Sequence, residues 1–428
     1  MKTKEDQKMR KRNMKLFPTY KKLGWDYLFY YAIDFMFLTQ IKHISPADVV
    51  LASSFKSIFG IFLQIPANII VEFLGRKNSI VLGNILNCIY MIIFMATGNI
   101  YDLILAKFVS CLAVSIKDIS EPGLLNSSIP PSKYKGSIFS KINSKGASGY
   151  YILSSITKII GGFLFEVNGY LPLICSLVVL IIVTIMSTLY IEPIKKRKEQ
   201  KNEITIKKQL KDIEEGFKFI IKSERLKALI LSASLIGSII TILVNYRTNL
   251  LQVIGVPAYL IAIISAVLSF SSSYGSKMQS QLNDKFKNKT ILVMGLMLSI
   301  TTIIAGVLSL KAKEFPILIV IVVIAYIIGK FAHGAFFTIM DRYLRNFTNK
   351  DIDTKIFAVK NLFVNVISAI SGIIASFMLN KMTIQYCMII VGIAFTILYI
   401  LMAKYMRKRV GLKPEEYSKQ ERKYDELY

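Results

Sequence analysis

Apolar stretches long enough to cross a bilayer recur twelve times along this chain, at residues 25–41, 47–71, 79–98, 102–129, 137–165, 171–191, 228–251, 257–282, 291–310, 315–340, 356–380 and 384–403. About 20 apolar residues in helical form span the hydrocarbon core. Lipid offers no hydrogen bonds to a bare backbone, so each crossing segment satisfies its own N–H and C=O groups as a helix. The expected fold class is an all-α polytopic membrane protein with twelve transmembrane helices. Several stretches exceed the minimum length, which predicts tilt or protrusion.

The chain of 428 residues is 53% hydrophobic and yet carries a formal net charge of +27. The two facts are compatible because apolar runs and basic segments alternate along the chain. No nucleic-acid partner is expected, since the lysines and arginines lie between hydrophobic stretches too long for soluble core helices. Cys88, Cys111, Cys175 and Cys387 each sit inside an apolar run without CxxC or Cys/His spacing, so neither a disulfide nor a metal site is expected. No Walker loop, nucleophile elbow or His/Asp metal cluster is present, and no enzymatic activity is expected. The first 24 residues lack the apolar core of a cleavable signal peptide.

The bases set the orientation. They crowd the N-terminal arm, the central segment, the C-terminal tail and the short loops at Arg76–Lys77, 133–145, 277–289 and 342–355, whereas Lys42, Lys311, Lys313 and Lys381 alone occupy the opposite loops. Positive loops stay inside, so both termini are expected in the cytoplasm and the protein in the inner (plasma) membrane, surrounded by the lipid bilayer. The expected division is a basic cytoplasmic arm (1–24), a six-helix bundle (25–192), a cytoplasmic linker (193–227), a second six-helix bundle (228–407) and a mobile charged tail (408–428). Both the arm at 14–23 and the linker at 204–221 place apolar residues at helical spacing among lysines; each reads as an interfacial helix or as a solvated one.

The loop after the second stretch, 72–83, reads EFLGRKNSIVLG, and the loop after the eighth, 284–295, reads DKFKNKTILVMG. An acid, then bases, then an apolar run ending in Gly recur at an offset of 212, at the same loop of each half. Together with Asn68, the first loop resembles the loop-2/3 signature of the major facilitator superfamily: Gly75, Arg76 and Lys77 match, Glu72 stands for the usual Asp, Asn68 for the first Gly and Phe73 for the first base. Lys107 occupies the place of a span-4 arginine. Gly161-Gly162 resembles the end of the antiporter glycine motif, with Thr157-Lys158 where Gly-Pro is usual. The resemblance implies two six-helix bundles and a cytoplasmic gating loop built on Glu72, Gly75, Arg76 and Lys77, repeated at Asp284 and Lys285. In that reading Glu72 meets a helix N-terminus or a base, and Arg76 and Lys77 pair with acids of the opposing half.

Charges inside a span are costly unless they face a cavity or a partner. They are Asp34, Lys56, Lys107, Lys117, Asp118, Glu121, Lys158, Arg247, Lys330 and Lys360, with His333 one turn beyond Lys330. Lys117 and Glu121 are four apart and share a helix face, as do Asp118 and Glu121, three apart. An offset of 213 relates Asp34 to Arg247 and Lys117 to Lys330. The resemblance implies that spans 1, 4, 7 and 10 line the central cavity, so that Asp34, Lys117, Asp118, Glu121, Arg247, Lys330 and His333 form a substrate and proton cavity. For Asp34 and Glu121 two readings stand side by side: proton carriers in a dehydrated site, or counter-ions to Lys117, Lys107 or Arg247. For His333 the competing reading is a packing residue beside Gly334, and Pro122 is expected to kink span 4. Tyr30, Tyr31, Phe35, Tyr150, Tyr151, Phe270 and Tyr274 are candidate aromatic walls.

The expected function is a secondary active transporter, a monomer moving a small organic solute by alternating access and coupled to protons, in the direction of efflux as in the exporter-like members the loop resembles. No cofactor is implied beyond H+ as coupling ion. The excess of bases over acids in the spans suits an anionic or zwitterionic substrate. The alternatives are a proton-coupled importer of an anionic nutrient and a non-transporting membrane receptor.

Overall fold

The computed structural model describes residues 2–130, 132, 134–192, 206–286, 289–346 and 353–407. Every regular element among them is helical. The charged tail, the stretch 193–205 and the loop residues Lys133, Lys287 and Lys350 lie outside the described residues. Helix α1 covers Lys2–Gly24 and α2 Asp34–Met36, followed by a π-helical turn at Phe37–Ile41. Then come α3 (Pro46–Phe62), α4 (Gln64–Leu74), α5 (Arg76–Ala96), α6 (Ile100–Ser128), α7 (Lys135–Val167), α8 (Leu171–Thr188) and α9 (Ile206–Lys222). The remainder are α10 (Glu224–Val253), α11 (Ala258–Lys277), α12 (Gln279–Phe286), α13 (Thr290–Ser309), α14 (Ile317–Asn346), α15 (Asp353–Lys381) and α16 (Ile384–Arg407).

The chain divides into two compact units, Met1–Ile206 with Ala258–Ala266, and Lys207–Pro257 with Val267–Tyr428. Among the described residues nine helices are long and apolar enough to cross a membrane, or ten when α3 and α4 are joined as one bent span. The expected twelve is therefore not reached by that measure. Two of the twelve stretches account for the gap. Helix α6 is 29 residues long but carries Asp102, Lys107, Lys117, Asp118 and Glu121. The first stretch is not one helix.

That first stretch corrects the sequence reading. Residues 25–33 form turns, and helical geometry resumes only at Asp34. Phe29 adopts a φ of 61°, a conformation that costs an L-residue about 1–2 kcal/mol. What offsets this cost is aromatic packing: Tyr27, Tyr30 and Tyr90 are buried and in mutual ring contact. The hydroxyl of Tyr27 reaches Asn87 (2.7 Å) and Ser110 (3.2 Å), and those of Tyr30 and Tyr90 bond each other. Gly161 of α7 makes room for the turn, since a Cβ there would sit 3.0 Å from the Phe29 carbonyl oxygen.

The N-terminal arm packs into the first unit along one face of α1, while Lys8, Lys11, Arg12, Lys15 and Lys22 stay exposed. Phe17 and Tyr20 of α1 are 1% and 0% exposed and share a core with Ile80, Leu124, Leu125, Ile129, Val183 and Tyr190. Each such ring removed from water contributes about 1.5–3 kcal/mol. The polar face of α1 is used as well: Asn13 donates to Ser128 Oγ (3.0 Å) and to the Ile191 carbonyl (2.7 Å), and accepts from the Ile191 N–H (3.1 Å). Helix α7 approaches closely through small residues, with Gly146 against Lys21 and Pro18 of α1.

The second stretch breaks at Leu63, where α3 and α4 meet at 56°. Pro66, in the first turn of α4, has no N–H to give the Phe62 carbonyl, so the helix cannot run straight through. Conventional caps start the neighbouring helices: Ser45 Oγ accepts from the Asp48 N–H (3.1 Å), and Asn99 Oδ1 from Tyr101 (2.9 Å) and Asp102 (3.0 Å).

In the second unit α10 is the most buried of the spans. Tyr399 of α16 crosses Gly295 of α13 and ties the bundle by donating to the Ile291 carbonyl (2.9 Å), with Ser232 of α10 at 3.2 Å. The linker helix α9 is docked on α15. Gly216 lies against the Lys355 backbone, Phe217 stacks on Phe363 (5.9 Å between centroids, 4° between planes), Ile220 is buried, and Glu215 pairs with Lys355 (2.6 Å).

Candidate functional site

The break in the first span creates the site of the first unit. A helix continuing past Gly24 would give the Gly24 carbonyl to the N–H of Leu28. Instead that carbonyl accepts Lys117 Nζ at 2.5 Å. Lys117 is 5% exposed, and reaches this point by lying across α5, where a Cβ at Gly83 would come within 2.7 Å of its Cγ. Its ammonium also pairs with Glu121 Oε1 at 3.5 Å, one turn along α6. Glu121, equally buried, accepts a second bond from Tyr20 of α1 at 2.8 Å, and Tyr20 is held in turn by Asn84 of α5. A buried ion pair persists only when its remaining polar atoms are also satisfied, and here both partners have such help.

Around this core lies a small cavity lined by Trp25, Asp26, Tyr27, Asn87, Val114, Lys117, Asp118 and Glu121. Asp26 accepts from the Tyr31 hydroxyl (2.6 Å) and the Tyr27 N–H (2.9 Å). Asp118 lies on the open side, with Glu121, Lys117, Asp26 and Lys21 as the charges that act on it. Lys21 completes the group: its ammonium donates to Asn143 Oδ1 at 2.6 Å and sits 4.6 Å from the Trp25 ring. Trp25 packs edge-on against Tyr150 and Tyr151. Among the other expected aromatic walls, Phe270 and Tyr274 of α11 are both 59% exposed, as Tyr151 is at 58%.

The structure thus brings Lys117, Asp118 and Glu121 together, as helical spacing implied. Asp34 stands apart from them. The bases acting on it are Lys107 of α6 and then Lys56 of α3, so of the counter-ions considered it is Lys107 that acts on Asp34. In the second unit Arg247, Lys330 and His333 gather. Arg247 Nε donates to the Leu243 carbonyl (2.9 Å), with its guanidinium over the Tyr326 ring (6.0 Å). Lys330 Nζ lies 3.3 Å from His333 Nδ1, and His333 feels the charges of Lys330 and Arg247. Beside it, Gly334 and Gly275 let α11 and α14 touch backbone to backbone, since a Cβ at either would collide with the Ser272 or Phe331 carbonyl.

Gly75 takes a φ of 77° between α4 and α5, the left-handed region that glycine enters without penalty. Arg76 Nη1 donates to the Gly123 carbonyl of α6 (2.8 Å), and the Lys77 N–H at the start of α5 donates to Glu192 Oε2 (2.7 Å). The contacts of Arg76 and of the Lys77 backbone thus lie inside their own unit. Glu192 brings a carboxylate to this helix N-terminus, and Glu72 is exposed near the end of α4. In the repeated loop Asp284 and Lys285 are exposed on α12, Lys285 lies over the Phe286 ring (5.7 Å), and Asn283 is buried against Thr290 (3.4 Å).

Sequence reasoning missed Tyr20, Lys21, Asp26, Asn87 and Glu192. Residues 1–24 read as an arm, which set Tyr20 and Lys21 aside. Asp26 and Glu192 lie at the ends of apolar stretches, where a charge is unremarkable. The buried Phe17–Tyr20 spacing in the arm was the available signal.

Comparison with known proteins places this arrangement. The chain's fold matches solved transporters over nearly its whole length. These include the nucleoside transporter NupG (13% identity, TM-score 0.66, 93% of this chain and 98% of that one) and a D-xylose-proton symporter (10%, 0.69, 94% and 99%). A bacterial homolog of the human lysosomal transporter Spinster is also similar (15%, 0.67, 94% and 98%). No curated protein matches in sequence. The model of the Major Facilitator Superfamily matches residues 25–329, from the broken first span into α14, and the chain belongs to that superfamily.

Proposed function

We propose that this secondary transporter exports a small organic solute in exchange for protons, by alternating access across the inner membrane, with both termini in the cytoplasm. The observation that carries the reading is the Lys117–Glu121–Asp118–Asp26 group on the break in the first span. Three carboxylates share this site with the two bases Lys117 and Lys21. A carboxylate in a poorly hydrated site among like charges takes up a proton readily. Tyr20 and Lys117 hold Glu121 in place, and Asp118 stands at the open edge as the group that exchanges with water. The loop at Glu72–Lys77 supports efflux through its likeness to exporter-like members of the superfamily, and the distribution of basic loops supports the orientation.

A second reading, a proton-coupled importer of an anionic solute, draws on Arg247 and Lys330, which gather with His333 in the second unit. Proteoliposomes with a pH-sensitive dye in the lumen test both. With an acidic lumen, solute entering from outside is expected to carry protons out and raise lumenal pH under exchange, and to carry protons in under symport. Asp118→Asn is expected to abolish the pH movement while solute counterflow continues. Solute flux by the wild type without any movement of pH would remove the proton from the mechanism.

A further inference from the structure

Arg247 is a guanidinium within an apolar span, and the second unit leaves most of it unused. Its Nε bonds the Leu243 carbonyl, one turn back on α10, and its face lies over Tyr326 of α14. Among the described residues it forms no ion pair, and the titratable group acting on it is the Tyr326 phenol. The four remaining N–H bonds of the fork have no acceptor among the described residues. Tyr326 shows the same deficit from the other side: its ring is 4% exposed and its buried hydroxyl has no hydrogen-bond partner among them. An orphaned buried donor is costly, and native structures keep few of them without a functional reason.

The neighbours add donors of the same sign. Lys330 lies one turn along α14 from Tyr326. Its ammonium can only donate, so His333 Nδ1 accepts across the 3.3 Å contact and the ring proton of the neutral imidazole falls on Nε2. The charges acting on His333 are those of Lys330 and Arg247, both positive. A guanidinium fork, a phenol and an ammonium in one apolar neighbourhood match a planar or tetrahedral oxyanion, which accepts several bonds at once.

We propose that Arg247, Tyr326 and Lys330 form the seat for an oxyanion group, a carboxylate or a phosphate, borne by the transported solute. The inference rests on the carrier reading above and adds to it the chemical class of the cargo. The buried hydroxyl of Tyr326 becomes accessible when the site opens in the transport cycle, and the anion then satisfies the donors that Arg247 and Tyr326 leave unmet.

The test is flux with a defined mixture of carboxylates, phosphomonoesters, primary amines and neutral polyols, presented to proteoliposomes and read by mass spectrometry of the lumen. The wild type is expected to move members of one or both anion classes, and which class moves distinguishes carboxylate from phosphate. Arg247→Gln is expected to lower that flux about tenfold or more, and Arg247→Lys to lower it less. Tyr326→Phe changes one atom and leaves the packing intact; it is expected to raise the KM for the anion about two- to tenfold with kcat little changed. Transport of amines or polyols alone, or anion flux indifferent to both Arg247→Gln and Tyr326→Phe, overturns the seat while the carrier reading stands. If the wild type moves nothing from any class, the carrier reading fails and the seat with it.

Discussion

The ammonium of Lys117 closes the end of α1 by donating to the carbonyl of Gly24, 2.5 Å away. One side chain of α6 thereby takes over a hydrogen bond that an uninterrupted first helix would make to itself. The same ammonium neutralises Glu121, so the break in the first span and the buried carboxylate depend on each other.

Replacement of Lys117 by Met is therefore expected to cost about 3–5 kcal/mol, because it leaves Glu121 as an uncompensated buried charge and the Gly24 carbonyl without its donor. Adding Glu121→Gln to Lys117→Met is expected to recover a large part of the loss. Thermal unfolding of the two single variants and the double variant in detergent measures the coupling. A double variant as unstable as the sum of the singles would mean that the pair does not interact.

Gly83 gives the lysine its path. A Cβ there would meet Lys117 Cγ at 2.7 Å and the Ala113 carbonyl at 3.3 Å, so Gly83→Ala is expected to destabilise by about 1–3 kcal/mol, the usual effect of overpacking. Gly136, in the first turn of α7, has nothing within 4 Å. Gly136→Ala is expected to be neutral or to stabilise by about 0.5–1 kcal/mol. The two glycines in one denaturation series separate crowding from helix propensity.

Glu192 holds the start of α5 through the Lys77 N–H. Glu192→Gln keeps an acceptor but removes the charge at the helix N-terminus, an expected loss of about 0.3–1 kcal/mol. Hydrogen exchange at the Lys77 amide is expected to quicken. Gly75→Ala forces a Cβ onto a residue with φ of 77°, at about 1–3 kcal/mol. If transport falls in Gly75→Ala while unfolding does not change, the loop acts on the transport cycle and carries no strain.

Phe217 fastens the linker helix α9 to α15 by stacking on Phe363. Removing the ring in Phe217→Ala is expected to forfeit about 0.5–1.5 kcal/mol of ring pairing beyond the area lost, and to speed proteolysis of α9 ahead of the rest of the second unit. Equal protease resistance in the variant and the wild type would show that Gly216, Ile220 and the Glu215–Lys355 pair suffice.

The membrane character of the chain and the pairing of Lys117 with Glu121 were legible in the sequence. Both follow from local rules: apolar length against bilayer thickness, and the 3.6-residue turn that puts positions four apart on one face. The Arg247, Lys330 and His333 group was legible in part, because the last two lie three apart on one helix and Arg247 stood out as a charge in an apolar span. The orphaned Tyr326 hydroxyl was not, since tyrosines in spans are ordinary and only coordinates tell which hydroxyls lack a partner.

The first span required tertiary information for a similar reason. Residues 1–24 are polar on average, and a window of hydropathy cannot distinguish an arm in water from a helix whose Phe17 and Tyr20 fill a core. Residues 25–33 are apolar enough to form, with 34–41, one helix across the bilayer. They turn instead because Lys117 competes for the Gly24 carbonyl and the rings of Tyr27, Tyr30 and Tyr90 pack better off the helical path. Local pattern determined that helices form in lipid and which residues share a face; contacts between residues far apart in the chain decided where a helix stops and which charges meet.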